Sequence, residues 1–207
     1  TALTIEGVKE IRPLDHRVIA DRIEAGTFMA GVALARGRVR LTGVDPTHLA
    51  PVTAVLRDMG CTVDEEDTAV TVAMDRRPEP VEVVTRPYPG FPTDMQAQVM
   101  AACDVADGTS FITETIYLDR FTHVAELQRL GADIRVDNAK ATIFGIDRLQ
   151  GAPVMATDLR ASAALVLAGV AAEGTTVVNR VYHIDRGYER IEERLSALGA
   201  RIRRDRD

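Results

Sequence analysis

Apolar residues recur along the chain in a pattern that repeats three times. Each repeat carries an alanine-rich apolar stretch of helical length with few β-branched residues, at 23–35, 95–106 and 159–172. Alanine is the strongest helix former, so each stretch predicts a helix. A glycine follows closely on each stretch, as expected of the residue that adopts the left-handed conformation just past a helix end.

The same succession of shorter elements follows each alanine-rich stretch. A β-branched run comes first, at 38–41, 110–116 and 176–181, and predicts a strand. An amphipathic helix is next, and in the middle repeat Val124, Leu127 and Leu130 share one of its faces. Two short strands close the unit, as at 133–136 and 141–144, and another precedes it, as at 81–84 and 154–156. The sequence therefore predicts an α/β (α+β) fold of three βαβαββ units, over about 11–80, 81–150 and 151–207.

Two series of glycines support the repeat independently of hydrophobicity. They are Gly60, Gly131 and Gly199 in one series, and Gly37, Gly108 and Gly174 in the other. The spacings are 71 and 68 residues in the first series and 71 and 66 in the second. Two markers with nearly the same period argue against a chance repeat.

The repeat is out of phase with the ends of the chain. Residues 4–8 (TIEGV) match 142–146 (TIFGI), which close the middle unit. We therefore expect 1–10 to be the closing strand of a preceding repeat with a linker, and 11–207 to be the domain itself. Residues 201–207 supply one strand at most. This phase predicts a domain of a longer protein; a natural short protein completed by a partner is the alternative.

Composition and charge exclude several classes of protein. The net charge of −6 over 207 residues argues against non-specific nucleic-acid binding, which needs a basic surface. No apolar run approaches the roughly 20 residues of a membrane span, and the first residues lack the order of a signal peptide. Cys61 and Cys103 are too few for a disulfide framework, and we expect both in the core of a cytoplasmic protein. The four histidines lack zinc-ligand spacing, so neither a metal nor a cofactor is predicted.

Acidic and basic residues stand at equivalent places in the repeats. Asp21, Asp94 and Asp158 each lie at the entrance of an alanine-rich helix, where capping alone explains an aspartate. If the units pack with approximate threefold symmetry, these helix ends converge on one face and form an anion site. Arg120 and Arg186 occupy equivalent loops on the same side. Arginine and carboxylate on such a face suit a phosphorylated, hydroxylated small molecule.

Five phrases in these loops carry a family resemblance. They are DRIEAGTF at 21–28, PYPGFPTDMQAQ at 87–98, FITETI at 111–116, MATDLRAS at 155–162 and HIDRGYER at 183–190. In this order, over essentially the whole chain, they resemble the UDP-N-acetylglucosamine 1-carboxyvinyltransferases, the enolpyruvyl transferases of peptidoglycan synthesis. The shikimate-pathway relatives share the fold but not these phrases.

The resemblance implies a fold, a reaction and partners. Enzymes of this family have two domains, each an inverse α/β barrel of three βαβαββ units with helices inside, and this chain is similar to the C-terminal one. The reaction moves the enolpyruvyl group of phosphoenolpyruvate to the 3-hydroxyl of UDP-N-acetylglucosamine. It is the first committed step of peptidoglycan synthesis in the cytoplasm, and so serves cell wall biogenesis, cell shape and cell division. The N-terminal domain is the implied protein partner.

By the same resemblance, individual residues take roles. Asp94 falls on the general base, Asp158 on an acid near the reacting groups, Ile116 on a backbone contact to the sugar nucleotide, Arg186 on a phosphate ligand, and Arg120 and Arg160 on arginines of the cleft. The catalytic lysine and a mobile loop belong to the other domain, so we expect this chain alone to have little or no activity. The alternative is a truncated, non-catalytic relative that binds a sugar nucleotide.

Overall fold

Helices and strands alternate along the chain in the computed structural model, which describes residues 2–205. The first repeat contains α1 (Arg22–Ala35), β1 (Gly37–Thr42), α2 (Ala50–Asp58), β2 (Thr62–Glu66) and β3 (Ala69–Met74). The second contains β4 (Glu82–Val84), α3 (Gln96–Cys103), β5 (Thr109–Thr113), α4 (Val124–Arg129), β6 (Asp133–Asp137) and β7 (Lys140–Phe144). The third contains β8 (Pro153–Met155), α5 (Leu159–Ala171), β9 (Val177–Asn179) and α6 (Ile191–Ala197).

Each repeat contributes its own small sheet. The middle sheet has the order β4-β5-β7-β6, with β4 parallel to β5 and the other neighbours antiparallel. The first sheet, β1-β3-β2, is the same arrangement without the leading strand, and the third consists of the parallel pair β8-β9. The predicted βαβαββ unit is therefore seen in full in the middle repeat, and the α/β class is confirmed.

The three alanine-rich helices form the centre of the core. α1, α3 and α5 contact one another in all three pairings, and all eight residues of α3 are buried. Small residues permit this approach: a Cβ on Gly26 would lie 2.9 Å from Met95 Sδ, and one on Gly31 would lie 3.0 Å from Leu167 Cδ2. Helices that are apolar on every side are stable only when they are surrounded by protein.

An arginine forms an ion pair at each of the two junctions between consecutive repeats. Arg77 donates to the carbonyls of Val105, Ala106 and Ile146 and pairs with Asp147 at 2.8 Å. One repeat later, an ion pair joins Arg148 to Glu173, at the corresponding place. In each case an arginine at the end of one unit holds the turn after the inner helix of the next.

Several predicted boundaries differ from the structure. Strand 110–116 stops at Thr113, strand 176–181 covers only Val177–Asn179, and helix 95–106 ends at Cys103 after beginning as a 3-10 turn. Residues 4–8, the expected closing strand, lie outside the sheets of the described chain, and Leu3, Ile5 and Val8 are largely exposed. A strand needs a neighbour for its backbone N–H and C=O groups, so the assignment of 1–10 to a preceding repeat stays a prediction.

Both cysteines lie in the core, as the sequence predicted. Cys61 and Cys103 are free and buried, and burial raises the pKa of their thiols to about 11 and about 12. Both therefore remain protonated thiols at neutral pH.

No helix among residues 2–205 is long and apolar enough to span a membrane.

The packing of the central helices makes a testable prediction about size. Ala163 of α5 is fully buried, whereas Ala125 of α4 is exposed. Replacing Ala163 with leucine should lower the free energy of unfolding by about 1–3 kcal/mol through overpacking. Ala125→Leu should change it by less than about 0.5 kcal/mol, since the two residues have similar helix propensity. Urea unfolding of both variants checks this, and equal stabilities would contradict the tight helix contact.

Candidate active site

The inner helices of the first and third repeats begin with aspartate caps. Asp21 Oδ1 accepts from the N–H groups of Ile23 (2.7 Å) and Glu24 (3.2 Å). Asp158 Oδ1 accepts from those of Arg160 (2.8 Å) and Ala161 (2.9 Å). These bonds satisfy backbone donors that have no partner within the helix. Capping is thus confirmed for two of the three equivalent aspartates.

Asp94 does not cap its helix, and the expectation that it does is wrong. It lies inside the 3-10 turn Thr93–Met95, where Pro92 occupies the cap position and no side chain caps the turn. Its carboxylate instead binds two guanidinium groups. Oδ1 accepts from Arg120 Nη1 at 2.7 Å, and Oδ2 accepts from Arg160 Nη2 at 2.9 Å. The charged partners come from the two neighbouring elements, so Asp94 is fixed by tertiary contacts.

The electrostatic balance at Asp94 favours the ionised acid. Burial alone would raise the pKa of this carboxyl, but the hydrogen bonds and charges of Arg120 and Arg160 outweigh burial and hold the pKa below its ordinary value. The Asp94 side chain is 35% exposed, so a ligand can reach it. Two guanidinium groups around one carboxylate also leave an excess positive charge. That charge suits an anion such as phosphate or carboxylate.

Glu114 ties the surrounding loops together, and the sequence reasoning assigned it no role. Its buried carboxylate accepts from the hydroxyls of Thr85 (2.7 Å) and Thr93 (2.8 Å) and from the N–H groups of Ile116 (2.8 Å) and Tyr117 (3.1 Å). It thus joins the end of β4, the 3-10 turn and the loop after β5. The sequence signal that could have found Glu114 is an acid between two threonines at the end of β5.

The loop after β5 then reaches Asp94 through its arginine. Arg120 Nη1 donates to Thr93 Oγ1 at 2.9 Å as well as to Asp94, and its guanidinium lies over the Tyr117 ring. Ile116 is partly buried, and its N–H is already engaged by Glu114. The stretch from Ile116 to Arg120 is therefore held at both ends, by Glu114 at the first residue and by Thr93 and Asp94 at the last.

Arg186 takes a different place from the other two arginines. It ends the 3-10 turn Val181–Arg186, its side chain is exposed, and no hydrogen bond or ion pair of it occurs within residues 2–205. The next residue, Gly187, packs against Leu159 at the start of α5: a Cβ there would lie 3.0 Å from Leu159 Cδ2. The structure thus joins Asp94, Arg120 and Arg160 directly, and leaves Arg186 free beside the start of α5.

The chemistry open to this cluster is proton transfer and anion binding. Asp94 is an ionised, accessible carboxylate that pairs with Arg120 and Arg160. The described residues contain no group of three or more metal-ligating side chains that could hold an ion. A hydroxyl placed at Asp94, next to an anion on the arginines, would have both a proton acceptor and a counter-charge.

Glu114 offers a test of how the site is held. Glu114→Gln should lower the free energy of unfolding at pH 7 by about 1–3 kcal/mol, because charge-assisted bonds to buried donors are lost. Burial alone would raise the pKa of Glu114, but its four donors hold that pKa below the ordinary value. The stabilisation is therefore complete above the unfolded-state pKa of about 4.3 and is lost as the pH falls through the folded-state pKa.

Urea unfolding at pH 7 and below pH 4 measures this difference. Glu82→Gln, at an exposed position of β4, is the control and should be neutral at both pH values. A penalty for Glu114→Gln that does not shrink in acid would contradict an ionised Glu114.

Comparison with known proteins places the chain in a protein family. The sequence model of the EPSP synthase (3-phosphoshikimate 1-carboxyvinyltransferase) family matches residues 1–195. A UDP-N-acetylglucosamine 1-carboxyvinyltransferase of Anaeromyxobacter sp. (strain Fw109-5) is 60% identical over 204 residues, which are 99% of this chain and 48% of that protein. One of the same name from Myxococcus xanthus is 51% identical over 206 residues, 100% of this chain and 49% of that protein. The chain spans about half the length of the curated relatives it matches.

Solved structures agree with the sequence comparison. The enolpyruvyl transferase NikO from Streptomyces tendae is 34% identical, with a TM-score of 0.82 over 93% of this chain and 46% of that one. EPSP synthase from Acinetobacter baumannii, at 18% identity and a TM-score of 0.71, covers 92% of this chain and 44% of that one, and shows the shared fold alone. These relatives confirm the resemblance carried by the five sequence phrases. The chain belongs to the EPSP synthase family of 1-carboxyvinyltransferases.

Proposed function

We propose that this chain is the C-terminal half of an enzyme that transfers the enolpyruvyl group of phosphoenolpyruvate to the 3-hydroxyl of UDP-N-acetylglucosamine. The observation that carries the proposal is the accessible carboxylate of Asp94 between the guanidinium groups of Arg120 and Arg160. The names of relatives at 51–60% identity support the choice of substrates. The reaction then belongs to peptidoglycan synthesis in the cytoplasm, and through it to cell shape and division.

In this proposal Asp94 is the general base. The sugar hydroxyl attacks C2 of phosphoenolpyruvate and its proton passes to the Asp94 carboxylate, while the C2–C3 double bond opens and C3 takes up a proton. The bond between C2 and the phosphate oxygen then breaks as C3 loses a proton, which releases phosphate and restores the double bond of the enolpyruvyl group on the sugar. Arg120 and Arg160 lower the basicity of Asp94 as long as they bind it. An incoming phosphate or carboxylate would compete for the same guanidinium groups and so raise the basicity of Asp94 when substrate is present.

The remaining predicted residues surround this step. Arg186 is exposed beside the start of α5, where it can bind the phosphate of phosphoenolpyruvate. Asp158 caps α5 through Oδ1 only, and within residues 2–205 its Oδ2 makes no hydrogen bond, so it can contact the reacting groups while it caps. Ile116 has its N–H engaged by Glu114, so its carbonyl is the group we assign to the sugar nucleotide.

We also propose that the domain is an inverse α/β barrel and that a second domain completes it as an enzyme. Three mutually packed helices with three peripheral sheets support the barrel. The third sheet has two strands where the middle one has four. The N-terminal half would supply the catalytic lysine and the other wall of the cleft. A non-catalytic, truncated relative would have no use for an ionised carboxylate held between two arginines.

A chimaera tests the activity. This chain replaces the corresponding half of the Anaeromyxobacter relative, and phosphate release from phosphoenolpyruvate is measured with UDP-N-acetylglucosamine present. The chimaera should turn over, and the isolated chain should release little or no phosphate because half of the cleft is missing. Asp94→Asn in the chimaera should lower kcat by about 100- to 10,000-fold, the usual contribution of a general base.

Asp64→Asn, at an exposed position of β2, is the matched control and should leave kcat unchanged. Normal turnover by the isolated chain would contradict the half-site assignment. Full activity of the Asp94→Asn chimaera would contradict the role of Asp94.

A further inference from the structure

A buried tyrosine lies behind the Asp94–Arg160 pair. Tyr188 is 1% exposed, and its hydroxyl is 2.8 Å from Thr27 Oγ1 of α1. Gln98 Nε2 of α3 donates to Thr27 Oγ1 at 3.0 Å and to the tyrosine oxygen at 3.4 Å. Arg160 Nη1 of α5 also donates to that oxygen, at 3.4 Å. One polar side chain from each inner helix thus meets the same phenol inside an apolar core.

The proton inventory fixes the direction of these hydrogen bonds. A threonine hydroxyl has a single proton, and that of Thr27 is donated to the Ile23 carbonyl at 2.8 Å. Between Thr27 and Tyr188, the tyrosine must therefore be the donor. Its own proton is then used, so the phenol oxygen faces Arg160 purely as an acceptor. The chain of hydrogen bonds from Arg160 through the two hydroxyls thus ends at the Ile23 carbonyl of α1.

Arg160 is consequently held along two edges of its guanidinium group. Nη1 binds the phenol oxygen of Tyr188, and Nη2 binds Asp94 Oδ2 at 2.9 Å. The Arg160 side chain is 15% exposed, against 24% for Arg120. A planar guanidinium fixed at both edges has little freedom to leave the carboxylate. Arg160 therefore differs from Arg120, whose contacts come from the loop side.

We propose that Tyr188 is a positioning residue, which orients Arg160 on Asp94 through a hydrogen-bond chain anchored in α1. It touches neither substrate nor reacting atoms in the proposed reaction, and its effect passes entirely through Arg160. The functional consequence rests on the proposed role of Asp94. The positioning of Arg160 can be measured without any substrate. An experiment can therefore disprove the positioning role of Tyr188 and leave the role of Asp94 as general base standing, or the reverse.

Tyr188→Phe keeps the ring and removes the hydroxyl, and with it the acceptor for Arg160 and the bonds to Thr27 and Gln98. In the isolated chain, 13C NMR of the Asp94 carboxyl should show its titration moved to higher pH, because the guanidinium that stabilises the ionised form is less well held. In the chimaera, kcat should fall by about 10- to 100-fold, the range expected for a misplaced catalytic group. Gln98 still donates to Thr27 in this variant, so the fold keeps most of its contacts.

Tyr182→Phe is the matched control. The Tyr182 hydroxyl also accepts from an arginine, Arg180, at 2.8 and 3.0 Å, but on the exposed surface. It should change neither the Asp94 titration nor kcat. Unchanged Asp94 titration in folded Tyr188→Phe would overturn the proposal, and so would an equal shift in Tyr182→Phe.

A second measurement decides the matter if Tyr188→Phe does not fold. In Asp94→Ala, both the charge and the acceptor oxygens at position 94 are gone, but Tyr188 remains. 15N NMR should still show restricted rotation of the Arg160 guanidinium group at neutral pH, because the phenol continues to hold one edge. Free rotation of Arg160 in that variant would overturn the positioning role.

Discussion

The mutual packing of α1, α3 and α5 is the constraint on which the rest of the molecule depends. Each helix is apolar nearly all round, so each must be enclosed by the other two and by the sheets. Enclosure brings the starts of α3 and α5 together, although Asp94 and Arg160 are separated by 66 residues in sequence. The charged cluster is thus a consequence of helix packing and needs no long loop to assemble it.

The close approach of the helices also buries polar side chains, whose hydrogen bonds to one another then matter for stability. A phenol, an amide and a hydroxyl buried among alanines cost free energy unless they satisfy one another. The hydroxyls of Tyr188 and Thr27 and the Gln98 Nε2 bond to one another, and the phenol oxygen also accepts from Arg160. Gln98 Oε1 has no hydrogen-bond partner among the described residues. The same low-polarity surroundings that penalise an isolated polar atom make this chain of bonds stiff, which is useful directly behind a charged site.

The fold was predictable to the extent that it is set by local composition. Helices expected at 23–35 and 159–172 are found at Arg22–Ala35 and Leu159–Ala171, because alanine-rich stretches followed by glycine leave little choice. The helix expected at 95–106 ends at Cys103, and the Asp104 carbonyl accepts from the N–H of Ile146, which lies two residues beyond β7. Such long-range contacts override propensity and leave no trace in the local pattern.

The site was predictable only where a resemblance or a helix start marked a residue. Asp94, Arg120 and Arg160 were singled out on those grounds, and the structure brings them together. Glu114 was missed because its importance depends on Thr85 and Thr93, which lie 29 and 21 residues away. A carboxylate that accepts four bonds looks the same in sequence as one that faces water, and only the folded chain distinguishes them.

One local change in the backbone makes the middle repeat different from its neighbours. The three aspartates are equivalent in sequence, yet Asp21 and Asp158 lie at the cap position and accept from backbone N–H groups through Oδ1. In the middle repeat Pro92 takes that position, and Asp94 lies two residues further on, inside the 3-10 turn. Proline has no N–H and fixes its own φ, so it suits this place. The carboxylate is thereby released from capping, and both of its oxygens bind arginines that come from other parts of the chain.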